Sequence, residues 1–148
     1  MSDLRDLYQE LILDHCRKPR NFGRLDHPDR SATGHNPLCG DKLTITLAVA
    51  DGVVTEARFE GEGCAISTAS ASLMSELVVG KTIDEIRALF SRFHGLVTGQ
   101  GDEDAADLDK LAVFAGVREY PVRVKCATLA WHSLKAALDD DSGIVTTE

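Results

Sequence analysis

The sequence predicts an α+β fold, with a small antiparallel sheet of about three strands packed with an N-terminal helix and several C-terminal helices. Three observations predict it. A helical stripe opens the chain, clean period-two alternation is confined to residues 42–62, and helical spacing takes over after Cys64. The 148 residues read as a single domain: N-terminal helix 3–16, loop 17–41, β-hairpin 42–62, helical remainder 64–139 and acidic tail 140–148.

Each element has a local cause. Leu4, Leu7, Tyr8, Leu11 and Ile12 recur at helical spacing, His15 extends the stripe, and Pro19 stops it. From Arg17 to Gly40 periodicity vanishes, and the stretch holds Pro19, Pro28 and Pro37 beside the basic residues Arg17, Lys18, Arg20, Arg24 and Arg30. So long a loop in a small domain is usually functional or mobile. Leu43, Ile45, Leu47 and Val49 then share one strand face. Asp51-Gly52 supplies the positive φ values of a two-residue hairpin turn, and Val53 to Glu60 forms the return strand. Ile66, Ala69, Leu73, Met74 and Leu77 predict a helix ending at Gly80, its alanines and serines suited to close packing. Thr82 and Glu85 form a capping box before a helix that Gly95 is expected to end. "GQGDEDAAD" reads as an acidic linker, and Leu108 to Ala115 as a short helix capped by Gly116. Pro121 suits the first turn of a last helix running to about Leu138, and the acidic end is expected to fray.

A formal net charge of −8 argues against broad binding to phosphate backbones, so no nucleic-acid partner is expected; a basic protein is the easier partner. The N-terminus "MSDLRDLYQE" lacks the pattern of a signal peptide, and no apolar run approaches the ~20 residues of a membrane span. A cytoplasmic location and no membrane partner are therefore expected. In a reducing compartment the four cysteines are not expected to pair as disulfides. No CxxC pair exists, so a shared site has to be assembled from distant parts of the chain.

The candidate chemistry lies at element ends. Cys39 and Asp41 flank Gly40 in the turn entering a strand and, two apart, can point the same way. Cys64 stands where sheet hands over to helix, where the positive end of the dipole favours a thiolate. Cys126 lies in the first turns of the last helix near Arg123 and Lys125, which favour it too. Three thiolates and a carboxylate are four possible ligands, for zinc or for an iron–sulfur cluster. A lone cysteine is as often a small buried hydrophobe. Cys16 has no candidate ligand close in sequence and reads as that case. His35 is a reserve ligand, although loop histidines are usually only solvated. His132, six residues past Cys126, faces roughly the opposite side of its helix and reads as structural, while His15, His27 and His94 offer no spacing argument. The acidic run at 102–109 is most simply a solvated face.

"HNPLCGD" (35–41), "GEGCAIS" (61–67) and "VKCATLAWHSL" (124–134) resemble the three cysteine motifs of the U-type iron–sulfur assembly proteins, the IscU, NifU N-terminal and SufU group. "ILDHCRKPRNFG" (12–23) resembles the family's N-terminal signature, so the match spans nearly the whole chain. The SufU branch is the nearest in pattern: Lys125 stands where IscU-type scaffolds carry histidine, and residues 81–101 look like the extra segment of that branch. The position of Cys16 is commonly aromatic in the family, which agrees with a bystander.

The resemblance implies an SufU/IscU-like fold and a tetrahedral zinc held by Cys39, Asp41, Cys64 and Cys126. It implies a catalytic role for Cys39, accepting persulfide sulfur from a SufS-type cysteine desulfurase and stimulating it. The pyridoxal phosphate belongs to that partner, one of whose histidines is expected to replace Cys39 on zinc. Downstream iron–sulfur assembly components would be further partners. The alternative it implies is a scaffold on which a [2Fe–2S] cluster or iron is held by the same ligands and passed on. A purely structural zinc domain is the third reading, against which Asp41 argues mildly because structural sites are usually all Cys or Cys/His. The basic loop 17–30 and the small-residue helix after Cys64 are the candidate docking face.

Overall fold

The computed structural model describes residues 2–36, 40–98, 114, 121–139 and 144–146. Its elements are α1 (Ser2–Arg17), β1 (Arg30–Asn36), β2 (Asp41–Ala50), β3 (Val53–Glu62), α2 (Ala65–Val78), α3 (Ile83–Thr98), α4 (Pro121–Leu138) and β4 (Ile144–Thr146). The sheet runs β3-β2-β1-β4, with β1, β2 and β3 antiparallel and β4 parallel to β1. The α+β class and its three-stranded antiparallel core are as the sequence predicts.

The hairpin forms where alternation places it. Leu43, Ile45 and Leu47 of β2 and Ala57 and Phe59 of β3 are buried on the helix side of the sheet. Asp51 and Gly52 take positive φ of 54° and 76° in the turn. The pairing shifts register at Ala48/Val49, and Val49 packs only at the edge of the core.

Two expectations about the strands are corrected. The stretch read as a loop from 17 to 41 contains β1, which pairs with β2 from Arg30↔Leu47 to Asn36↔Asp41. Its inward positions are Ala32, Gly34 and Asn36, too small or too polar to show as hydrophobic alternation. They are small because α4 lies directly on them: a Cβ at Gly34 would stand 2.0 Å from Ser133 Oγ and 2.9 Å from Leu129 Cδ1. Within the tail expected to fray, Ile144–Thr146 forms β4 on the outer edge of β1; these β-branched residues suit a strand.

The helices cover one face of the sheet, α4 against β1 and β2 and α2 against β3, with α1 outside α2 and α3 against α4. The small residues of α2 are buried in this packing. Ser70 Oγ donates to the Ala127 carbonyl at 2.6 Å and accepts from Trp131 Nε1 at 3.1 Å, tying α2 to α4. His15, buried at the end of α1, meets Ser72 Oγ through Nδ1 at 2.7 Å. Leu4, Leu7 and Tyr8 belong to side chains outside those described. The capping box is formed as predicted: Thr82 N–H donates to Glu85 Oε1 at 3.0 Å and Glu85 N–H to Thr82 Oγ1 at 3.1 Å. The Thr82 backbone N–H, with the Thr82 hydroxyl, holds the Glu85 carboxyl below its ordinary pKa. Gly95 does not end α3, which continues to Thr98 because Leu96 and Val97 are themselves buried. The predicted linker and 108–115 helix lie outside the described residues, apart from Phe114, whose buried ring packs edge-on against Phe93. No helix among the described residues is long and apolar enough to cross a membrane.

The contact of Gly34 with α4 can be tested. Gly34→Ala should overpack the α4–β1 seam and destabilise the fold by about 1–3 kcal/mol. The denaturation midpoint measures it, and an unchanged midpoint would show that α4 does not lie against this residue.

Candidate metal centre

The end of the sheet meets the beginnings of two helices. Asn36 closes β1 and Asp41 opens β2 as its cross-strand partner, with residues 37–40 between them. Both side chains are fully buried. A buried carboxylate needs hydrogen bonds or a cation to offset lost hydration. Asp41 Oδ1 accepts the Cys64 backbone N–H at 2.8 Å, while Oδ2 stands 3.9 Å from Cys64 Sγ.

Cys64 is the N-cap of α2 with extended backbone, as its place after β3 predicts. Its Sγ accepts the Ser67 N–H at 3.4 Å, as a capping oxygen would. Cys126 lies in the second turn of α4 and is 2% exposed. The side-chain amide of Asn36 donates to Cys126 Sγ at 3.7 Å.

Asp41, Cys64 and Cys126 thus bring one carboxylate oxygen and two sulfurs within 4.8 Å of one another. Donors on one tetrahedral zinc stand ~3.5–3.8 Å apart, given Zn–S of about 2.3 Å and Zn–O of about 2.0 Å. The three atoms would need to close by roughly an ångström at most. Two soft sulfurs and one hard oxygen suit a borderline cation such as zinc. The site is also open to solvent on one side, since Cys64 is exposed.

The other sequence candidates separate clearly. Cys39 lies outside the described residues. Cys16 is on α1 and is not part of the cluster. His35 falls on the opposite face of β1 from Asn36, so strand alternation turns it away from the site. His132 is structural: its ring packs edge-on against Phe90, at 5.2 Å, and His94, at 5.9 Å. Burial, with His94 and Lys135 adding positive charge, holds its pKa below the ordinary value. Sequence reasoning missed Asn36 and Ser67. Both stand inside the quoted motifs, each three residues from a cysteine, and both are fully buried.

If the three side chains share a cation, Asp41→Ala and Cys126→Ala should each lower zinc affinity by more than the ~10–100-fold typical of losing a supporting group. Competition against a chromophoric chelator measures this. Wild-type affinity in both variants would remove these residues from the ligand set.

Known proteins place the fold in context. The profile of the NifU-like N terminal domain matches residues 7–127. The zinc-dependent sulfurtransferase SufU of Bacillus subtilis is 37% identical over 142 residues, covering 96% of each chain. The iron–sulfur cluster assembly scaffold protein IscU of Thermotoga maritima is 42% identical over 132 residues, covering 89% of this chain and 92% of its own. The crystal structure of a NifU-like N-terminal protein from Brucella abortus superimposes with a TM-score of 0.83 at 30% identity, over 93% of this chain and 96% of the other. A match of this extent, with the three cysteine motifs in order, makes the chain a member of the NifU-like N-terminal domain family.

Proposed function

We propose that this protein serves iron–sulfur cluster assembly as a zinc-dependent sulfurtransferase, taking persulfide sulfur from a SufS-type cysteine desulfurase in the cytoplasm. The observation that carries the reading is the convergence of Asp41, Cys64 and Cys126 from β2, α2 and α4. The likeness to the B. subtilis sulfurtransferase along nearly the whole chain supports it.

In this reading Cys39, Asp41, Cys64 and Cys126 hold the ion. Zinc in such a site keeps thiolates deprotonated at neutral pH without taking part in redox chemistry. Cys39 is the acceptor. Its thiolate attacks the outer sulfur of the partner's persulfide; a new S–S bond forms to Cys39, the donor's S–S bond breaks, and the donor cysteine leaves as thiolate. The pyridoxal phosphate stays with the desulfurase. Cys64 and Cys126 receive hydrogen bonds from the Ser67 N–H and the Asn36 amide. Such bonds stabilise negative sulfur and lower its nucleophilicity, which suits residues that hold rather than transfer.

A second reading has its own support. Relatives named as IscU scaffolds, from T. maritima and from Escherichia coli at 34% identity, share the same length of chain. Here the same ligands would carry a [2Fe–2S] cluster as cargo for downstream assembly components. Lys125 beside Cys126 tips the balance to sulfur transfer, since scaffolds of that type resemble one another in a histidine there.

The reading predicts that wild-type protein stimulates desulfurase turnover and acquires persulfide, and that Cys39→Ala does neither. Undiminished stimulation by the variant would reject Cys39 as acceptor. Brisk transfer of an anaerobically reconstituted cluster to an apo acceptor, without persulfide on Cys39, would favour the scaffold instead.

A further inference from the structure

Ser67 Oγ is the one buried side-chain oxygen or nitrogen among the described residues with no hydrogen-bond partner. Its residue is fully buried. An unpaired buried hydroxyl is costly, and in a native protein it calls for a reason.

Its position supplies one. Ser67 lies in the first turn of α2, and its N–H already serves Cys64 Sγ. Its hydroxyl and the Asp41 carboxylate both lie against Gly63. A Cβ built on Gly63 would stand 3.1 Å from Ser67 Oγ and 3.2 Å from Asp41 Oδ1. Any larger residue at 63 would therefore crowd both atoms. The two Asp41 oxygens are not equivalent: Oδ1 is held by the Cys64 N–H, and Oδ2 faces Cys64 Sγ. A carboxylate that binds a cation through one oxygen is usually held in place through the other.

We propose that Ser67 is a positioning residue of the metal centre: its hydroxyl donates to Asp41 Oδ1 when Asp41 turns Oδ2 to the cation. The proposal rests on the reading of Asp41 as a ligand. On this proposal the hydroxyl gains its partner only when a cation is held, and it is then the second donor on Oδ1, beside the Cys64 N–H.

Removing the hydroxyl should therefore cost stability only in the loaded form, which a packing role would not do. The test compares wild type, Ser67→Ala and Ser67→Thr, each measured metal-free and loaded with zinc. Thermal melting and the rate of zinc transfer to a chelator are the readouts. Expected for Ser67→Ala is an apo melting temperature equal to or above wild type, a smaller rise on loading, and zinc release roughly 10–100-fold faster. Ser67→Thr, which keeps the hydroxyl, should release zinc as wild type does. A lower melting temperature for Ser67→Ala in both forms would make the residue a packing element and overturn the proposal. So would unchanged zinc release, or equal acceleration in the alanine and threonine variants. If wild type and Asp41→Ala hold zinc alike, the ligand reading itself fails, an outcome distinct from normal Asp41-dependent binding that ignores Ser67.

Discussion

The hydrogen bond from the Cys64 backbone N–H to Asp41 Oδ1 is the constraint around which the candidate site is arranged. A carboxylate with no exposed surface cannot sit at the end of a sheet unless something replaces its water. Here the replacement is the N-terminus of a helix, where free N–H groups and the dipole favour negative charge. The bond therefore joins the first residue of β2 to the cap of α2. It also brings the Cys64 sulfur to the same carboxylate, so one interaction satisfies a buried carboxylate and gathers two candidate ligands.

The third candidate ligand comes from packing. Cys126 arrives on α4, and α4 is placed by small residues on both sides of it. Gly34 lets it approach β1, and Ser70 of α2 bonds both the Ala127 carbonyl next to Cys126 and the Trp131 indole one turn on. The serines of α2 thus do in this fold what larger apolar residues do elsewhere. They allow close helix contact and then satisfy the polar atoms that close contact buries. His15 uses the same device to hold α1 against Ser72. The small residues after Cys64, attractive as an open docking face, are for the most part consumed within the chain.

What could be read beforehand follows from how each element announces itself. The β2–β3 hairpin was legible because Leu43, Ile45 and Leu47 alternate with polar residues and Asp51-Gly52 is a turn with one geometry. Thr82 and Glu85 marked the start of α3, and Pro121 that of α4, for equally local reasons. β1 was not legible, because its buried side is Ala32, Gly34 and Asn36; tertiary contact with α4, not hydrophobic pattern, makes it a strand. The end of α3 is hidden from the sequence for a related reason: burial of Leu96 and Val97 outweighs the modest cost of Gly95 inside a helix. At the site, thiols and a carboxylate could be singled out by chemistry alone. The groups that support them could not, since an asparagine facing a sulfur or a serine beside a carboxylate is visible only once the chain is folded.

The proposed function requires that side chains from the β1–β2 connection, β2, α2 and α4 meet on one ion. X-ray absorption at the zinc edge of the loaded protein tests this most directly. Cys39, Asp41, Cys64 and Cys126 together should give three sulfurs at about 2.3 Å and one oxygen at about 2.0–2.2 Å. A shell without sulfur, or with a single sulfur among nitrogens and oxygens, would contradict it.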